Sequence, residues 1–300
     1  MSQFLVTGAA GFIGSNLCEQ LLSEGHTVIG LDNLSRGLSS NIDILQSHDK
    51  SPNFTFIEGD ICDLDTCKTA VDGCDYVLHQ AALGSVPSSL EMPVEYEINN
   101  NVGLVNMLVA SRDANVKRFV FASSSSVYGD TEVLPKVETM NPLPKSPYAI
   151  NKISGEYYCK VFYESYGLPT ISLRYFNVFG KRQDPQSDYA AVVPKFITLS
   201  LDNKPHIIYG DGEQTRDFTH IENVIKANIH SCYADEHCFG EMFNVGCNSK
   251  ISVNDLSNII KKQLKSDAKP IYKPTRTGDV KDSLASIDRD WETNERFYAH

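Results

Sequence analysis

Apolar residues in this chain fall into two alternating patterns, short unbroken runs and longer stretches at helical spacing. The runs Phe4–Val6, Thr27–Leu31, Phe54–Glu58, Tyr76–His79, Arg118–Phe121 and Thr170–Leu173 read as strands. Phe12, Ile13, Leu17, Leu21 and Leu22 recur at helical spacing after the first run, and Leu64–Val71, Pro93–Asp113 and Ser146–Tyr166 read as further helices. A strand such as Phe4-Leu5-Val6 suits burial on both faces. Strand–helix alternation predicts an α/β fold with a doubly wound parallel sheet. From about Asn177 the pattern becomes irregular, with shorter elements near Val193–Leu201, Ile221–Tyr233, Phe243–Val245 and Val253–Leu264. The expected division is a larger part over residues 1–176 and a smaller α/β part over 177–300, with a cleft between them. No low-complexity linker or internal repeat interrupts either part.

Thr7-Gly8-Ala9-Ala10-Gly11-Phe12-Ile13-Gly14 joins the first strand to the first helix. Glycines there allow a tight turn and close backbone approach, so a pyrophosphate can sit on the helix N-terminus. Asp32 ends the second strand, where a carboxylate can accept both ribose hydroxyls of an adenosine. It would repel a 2′-phosphate, so the expected cofactor is NAD rather than NADP, with Arg36 nearby as the opposing charge. The first part is therefore expected to be a Rossmann-like dinucleotide-binding unit.

Tyr148 and Lys152 stand four residues apart, on one face of a helix. An ammonium within ~4–6 Å favours the phenolate, so the expectation is a tyrosine whose pKa is drawn down from ~10 toward the working pH. Such a group suits proton removal from a sugar hydroxyl.

The 300 residues, 41% of them hydrophobic, can bury a substantial core. A net charge of −11 argues against nucleic acid and anionic membrane surfaces, though a local cationic cleft still permits an anionic substrate. The chain enters its first strand directly, and no apolar run reaches the ~20 residues of a membrane span. A cytoplasmic location is therefore expected. The eight cysteines show no CxxC pair and are expected to be reduced thiols, with no metal site.

Taken together, these residues resemble the extended short-chain dehydrogenases/reductases, and among them the NAD-dependent sugar-nucleotide epimerases and dehydratases. The resemblance runs from residue 1 to about 288. It rests on TGxxGxxG at Gly8, Gly11 and Gly14, Asp32-Asn33, Asp60-Ile61, His79-Gln80-Ala81-Ala82, Ser123-Ser124-Ser125, Val127-Tyr128-Gly129, YxxxK and Arg174-Tyr175-Phe176-Asn177-Val178-Phe179-Gly180. The stretches 82–87, 177–185 and 189–195, with Arg216-Asp217-Phe218, look like those of bacterial UDP-N-acetylhexosamine 4-epimerases.

That resemblance implies a catalytic set of Ser124, Tyr148 and Lys152, with Ser125 and Ser126 as possible assistants in the row of four serines. It implies NAD, tightly bound and regenerated at each turnover. Gly8, Gly11, Phe12, Ile13 and Gly14 would meet the pyrophosphate, and Asp32, Asn33, Ser35 and Gly37 the adenosine ribose. Asp60 and Ile61 would meet the adenine, with Gln80, Ala81 and Ala82 under the dinucleotide. Asn100 would face the cofactor side, with Tyr148, Lys152, Tyr175 and Val178 around the nicotinamide. For a UDP-sugar substrate the implied contacts are Ser85, Asn177, Ala191, Val192, Lys195, Tyr209, Arg216, Arg276 and Ser283. Arg216 and Arg276 offer guanidinium forks for a diphosphate. A small residue at Ser283 leaves room for a 2-acetamido group, which favours N-acetylated sugars.

The chain departs from the family pattern in three places. Phe196 stands where relatives carry Trp, the polar positions around Ile207–Asp211 are arranged differently, and Asp290–Glu295 does not read like a closing amphipathic helix, so the second part is expected to be short at its C-terminus. A 4,6-dehydratase would need Asp-Glu where Ser125-Ser126 stand. A UDP-uronate 4-epimerase remains a close alternative, because one contact at C6 could set that choice. A catalytically weak NAD-binding scaffold is a third. Apolar positions in 106–110 and 157–162 are expected either to pair two copies into a homodimer or to be core.

Overall fold

The computed structural model describes residues 1–185, 191–275 and 281–289. Arg276 and the segment beyond Arg289, both singled out above, lie outside the described residues, as do Tyr189 and Ala190.

Seven strands form one parallel sheet: β1 (Gln3–Thr7), β2 (Thr27–Asp32), β3 (Phe54–Glu58), β4 (Tyr76–His79), β5 (Arg118–Ser124), β6 (Thr170–Tyr175) and β7 (Glu241–Val245). Their spatial order is β7-β6-β5-β4-β1-β2-β3. Every neighbouring pair is parallel, with Phe4 opposite both Val28 and Tyr76. The order reverses on either side of β1, so the strand ends there open a crevice suited to a ligand.

The helices are α1 (Phe12–Ser23), α2 (Ser39–Gln46), α3 (Leu64–Val71), α4 (Val86–Glu91), α5 (Pro93–Glu97), α6 (Gly103–Asp113), α7 (Pro147–Tyr166), α8 (Val192–Leu201), α9 (Ile221–Ser231) and α10 (Val253–Leu264). One face of the sheet packs against α1, α2 and α9 through Leu17, Leu21, Ile42, Val224 and Ile225. The other packs against α3, α6 and α7 through Ala70, Leu104, Met107, Cys159 and Phe162. A separate core of Val193, Phe196, Ile208, Val253, Leu256 and Ile260 holds α8 and α10 together in a smaller lobe. No helix of the described residues is long and apolar enough to cross a membrane.

The chain does not leave the sheet for good at residue 177. After the short strand Val178–Phe179 it returns through α9, and β7 pairs along β6 from Glu241–Ile171 to Val245–Tyr175. The physical reason is coverage. Without β7 the buried strand β6 would present an open edge.

Helix α7 carries the tyrosine–lysine pair, and its ends explain its position. Ser146 caps the start by accepting from the Ala149 N–H at 3.2 Å, Pro147 fits the first turn, and Gly167 ends the helix in the left-handed region at φ +72°. Glu156, without solvent access, ties α7 to the sheet. Its Oε1 accepts from Arg174 Nε at 2.8 Å and Ser123 Oγ at 2.5 Å, and its Oε2 from Arg174 Nη2 at 2.7 Å. Removing one partner leaves a buried charge uncompensated. Glu156→Gln should therefore lose about 3–5 kcal/mol of unfolding free energy in urea titration. A loss below about 1 kcal/mol would mean that the pair is not the anchor.

Candidate active site

The strand ends of β1, β2, β4, β5 and β6 surround a cavity of ≈ 560 Å³. Its floor begins at the glycine turn. Gly8 sits at φ +71°, and its N–H donates to the Leu31 carbonyl at 2.8 Å. Thr7 Oγ1 lies 3.0 Å from His79 Nδ1 and accepts from the Ala81 N–H at 3.1 Å, which fixes the turn against β4. A Cβ on Gly14 would lie 2.1 Å from the Gly8 carbonyl oxygen, so only glycine fits there. Helix α1 starts at Gly11 with no side-chain cap and no acidic residue in its first turn. Its first N–H groups therefore keep capacity for an anion.

Asp32 lines the cavity with Asn33, Ser35 and Gly37. Its carboxylate accepts from the Ala10 N–H at 3.0 Å and the Leu34 N–H at 2.8 Å, which leaves lone pairs for further donors. Burial lifts its pKa above the ordinary carboxylate value, and those two N–H groups pull it back. Ile61 lines the cavity as well; Asp60 stands behind it, accepting from the Cys62 N–H and from Asn33 Nδ2. The glycine cradle, the uncapped helix start and this carboxylate fit a dinucleotide.

Tyr148 and Lys152 both reach the cavity, but their electrostatics differ from the sequence expectation. Burial pushes the Tyr148 phenol up to about 12, with the neighbouring Ser124 hydroxyl pulling the other way and Tyr96 adding to the rise. The Lys152 ammonium does not bond the phenol. It donates to the Ala122 carbonyl at 2.7 Å and lies 5.6 Å from the Tyr148 ring centre. Burial lowers its own pKa to about 8, opposed chiefly by the negative charge of Glu156. Desolvation is thus the largest influence on the phenol, and it favours the protonated form.

The four serines take different directions. Ser123 is the one of the four among the cavity residues, and its hydroxyl donates to Glu156. Ser124 ends β5 in contact with Tyr148, and its Oγ accepts from the Ser126 N–H at 3.1 Å. Ser125 and Ser126 follow in a 3-10 turn, where the buried Ser126 Oγ has no hydrogen-bond partner among the described residues. On the opposite wall, Gln80 Nε2 donates to Asn228 Oδ1 at 2.9 Å, Asn228 Nδ2 to the Tyr175 hydroxyl at 2.8 Å, and that hydroxyl to Gln80 Oε1 at 3.1 Å. This closed ring fixes two wall residues from a fully buried asparagine on α9. Ala81, Ala82 and Val178 complete that side.

Asn100 lies beneath the wall rather than on it. The segment Ile98–Val102 forms a π-helical turn, which sends Asn99 to the cavity while Asn100 clamps Leu83 through both its N–H and its carbonyl. Among the residues expected to meet substrate, Ala191 lines the cavity. Ser85 caps α4, accepting from the Ser88 N–H at 3.1 Å. Asn177 Nδ2 donates to the Asp217 carbonyl at 2.9 Å and approaches Ser283 Oγ at 3.5 Å, so three distant segments meet. Asp217 holds that junction, accepting from the Cys247 N–H at 2.9 Å and the Ala285 N–H at 3.0 Å. Arg216 donates to the carbonyls of Thr215 and Lys281. Val192 and Lys195 lie in the first turn of α8, and Tyr209 ends a short strand whose carbonyl accepts from Gln214 at 2.7 Å. None of these last four is among the cavity residues.

Sequence reasoning gave no role to Arg182, Gln183, Asp184, Asn99 or Asn228. The first three belong to a stretch already noted as family-like. Asn228 had a weaker signal, as a polar residue on the buried face of α9 between Ile225 and Ser231.

The model of the NAD dependent epimerase/dehydratase family matches residues 4–246. The chain belongs to this family. It is 39% identical over 278 residues to a putative UDP-glucose 4-epimerase of Methanocaldococcus jannaschii, covering 92% of this chain and 87% of that relative. A UDP-N-acetylglucosamine 4-epimerase from Methanobrevibacter ruminantium M1, solved in complex with UDP-N-acetylmuramic acid, superposes with a TM-score of 0.90 at 42% identity, over 96% of this chain and 90% of that one. A UDP-glucuronic acid 4-epimerase from Bacillus cereus, solved with UDP-glucuronic acid and NAD, gives 0.86 at 32% identity, over 96% and 91%.

Two outcomes follow for the cofactor site. Gly14→Ala should abolish NAD binding measured by fluorescence titration, because the new methyl displaces the Gly8 carbonyl; unchanged affinity would refute the cradle. Lys152 binds fewer protons when folded than when unfolded between about pH 8 and its ordinary 10.5. Stability from this group is therefore lowest below pH 8 and rises across that window. The wild-type melting temperature should climb relative to Lys152→Met as pH goes from 8 to 10.5, and parallel curves would sink the assignment.

Proposed function

We propose that this protein is an NAD-dependent 4-epimerase of UDP-N-acetylhexosamines. The observation that carries the reading is a cavity lined by Tyr148 and Lys152 as well as by the glycine cradle and Asp32, with the Ser124 hydroxyl against the Tyr148 phenol. Gly8, Gly11, Gly14 and the start of α1 would hold the cofactor's pyrophosphate, and Asp32 its adenosine ribose. NAD, when bound, would supply the hydride acceptor for sugar C4 in its oxidised form and the hydride donor in its reduced form.

Tyr148 takes the proton from the 4-hydroxyl, and Ser124 hydrogen-bonds the same oxygen, passing the proton or steadying the charge. Lys152, one turn along α7, adds positive charge that favours the phenolate. The 4-keto sugar turns over in the cleft, and Tyr148 returns the proton after the opposite face has been reduced. Asn177, Arg216 and Ser283 would bind the UDP-sugar, with Ser283 leaving space for the acetamido group. Arg276 is proposed as a second diphosphate contact from its sequence context.

The test is to incubate the purified protein, without added NAD, with UDP-N-acetylglucosamine and UDP-N-acetylgalactosamine separately and to follow the products by NMR. Both should reach the same mixture, and Tyr148→Phe should lower kcat by at least about 10²-fold. Turnover of UDP-glucuronic acid alone would move the assignment to a uronate epimerase, whereas bound NAD with no turnover would leave a binding scaffold.

A homodimer is proposed on a particular face. Val94, Ile98 and Val102 are exposed at four-residue spacing, beside the exposed Ile150, Tyr157 and Val161 of α7. Within residues 106–110, by contrast, Met107, Leu108 and Ala110 are core. Ile98→Arg with Val161→Arg should convert a dimer to monomer in light scattering; a monomeric wild type refutes the proposal.

A further inference from the structure

The loop that follows Val178–Phe179 is fastened to helix α1 by its own set of contacts. Arg182 Nη2 donates to Glu19 Oε2 at 2.7 Å and to Asn16 Oδ1 at 2.9 Å. Lys181 forms a second ion pair with the same Glu19 oxygen. Asn16 Nδ2 donates to the Phe12 carbonyl at 2.8 Å and to the Lys181 carbonyl at 3.1 Å, so one side chain joins the start of α1 to the loop. Arg182 occupies φ +67°, a conformation that costs an arginine energy and persists only where surrounding contacts hold it. The Arg182 side chain is 10% exposed against 61% for Lys181. An exposed ion pair is worth little, so the arginine carries the attachment.

The attachment joins two walls of the cavity. Gly11, Phe12 and Ile13 line it from the α1 side, and Arg182, Gln183 and Asp184 from the loop side. Glu19 stands behind, about two turns down α1, and is not among the cavity residues. We infer that Glu19 is a positioning residue that holds residues 181–184 as a strap over the dinucleotide and slows its release. The inference rests on the epimerase reading. There the cofactor that takes hydride from the sugar must give it back to the same sugar. A protein that lost the reduced cofactor midway would release a keto sugar and stop.

The experiment compares wild type, Glu19→Gln, Arg182→Met and Lys181→Gln for NAD content after purification and for the rate of NAD release after rapid dilution. Loss of a charge-assisted hydrogen bond should speed release by about tenfold in Glu19→Gln and in Arg182→Met. Lys181→Gln should change it less than twofold. For Glu19→Gln, KM for added NAD should rise while kcat at saturating NAD falls less than twofold. Release within twofold of wild type in both Glu19→Gln and Arg182→Met, with melting temperatures unchanged, would overturn the strap. An epimerisation defect that added NAD does not restore would overturn it too. A wild type that holds NAD yet epimerises no UDP-sugar would instead refute the epimerase reading, while the release comparison still reports on the strap.

Discussion

One carboxylate with no access to water, Glu156, sets the spacing on which the site depends. It lies one turn beyond Lys152 on α7 and receives Arg174 from β6 and Ser123 from β5. Arg174 also stacks on Tyr128, whose hydroxyl donates to Asn244 of β7 at 2.6 Å. Asn244 Nδ2 in turn donates to the Lys136 and Ser286 carbonyls. A buried ion pair costs desolvation that its mutual attraction alone barely offsets, so the geometry must be saturated with hydrogen bonds. Here Glu156 is held by three donors, and the network couples α7 to β5, β6, β7 and the segment around Ser286. Ser124 is the next residue along β5 from Ser123, so the same contact that anchors the helix aims the serine hydroxyl at Tyr148.

That anchoring has an electrostatic consequence. Burial moves Tyr148 and Lys152 in opposite directions, the phenol up to about 12 and the ammonium down to about 8. Both shifts favour the neutral forms, the phenol protonated and the lysine closer to losing its charge. Glu156 counters this on the lysine side, since its negative charge supports the ammonium. On the tyrosine side the Ser124 hydroxyl pulls the value down, and burial outweighs it. A positive charge brought close to that phenol would favour release of its proton.

Local motifs were legible where chain-adjacent residues do the work. The turn Gly8–Gly14, the carboxylate ending β2 and the i, i+4 pair on α7 all depend on backbone geometry within a dozen residues, and the structure places each at the cavity. Long-range partners left weaker traces. Lys152 looked like a neighbour of the phenol, yet its nearest acceptor is the Ala122 carbonyl, thirty residues earlier in the chain. Asn99 and Asn100 are indistinguishable in sequence; the π-helical turn decides which faces the cavity. Strand β7 was expected as a short element of the second part, because the irregular stretch before it hides that its edge partner is β6.

The Gln80–Tyr175–Asn228 ring shows why a second tyrosine in the same cavity does not compete with the first. The Tyr175 hydroxyl has acceptors at 3.1 Å in both Gln80 Oε1 and Asn228 Oδ1, while its oxygen accepts from Asn228 Nδ2. Burial drives that phenol upward, and the proximity of Tyr148 adds to the rise. Among the described residues Tyr148 has no such ring; its hydrogen-bond partner is the Ser124 hydroxyl, a group that can give or take a proton. The fold thus separates two chemically identical side chains by the number of committed hydrogen bonds around each. The difference comes from Asn228 on a helix whose sequence pattern marks it only as core.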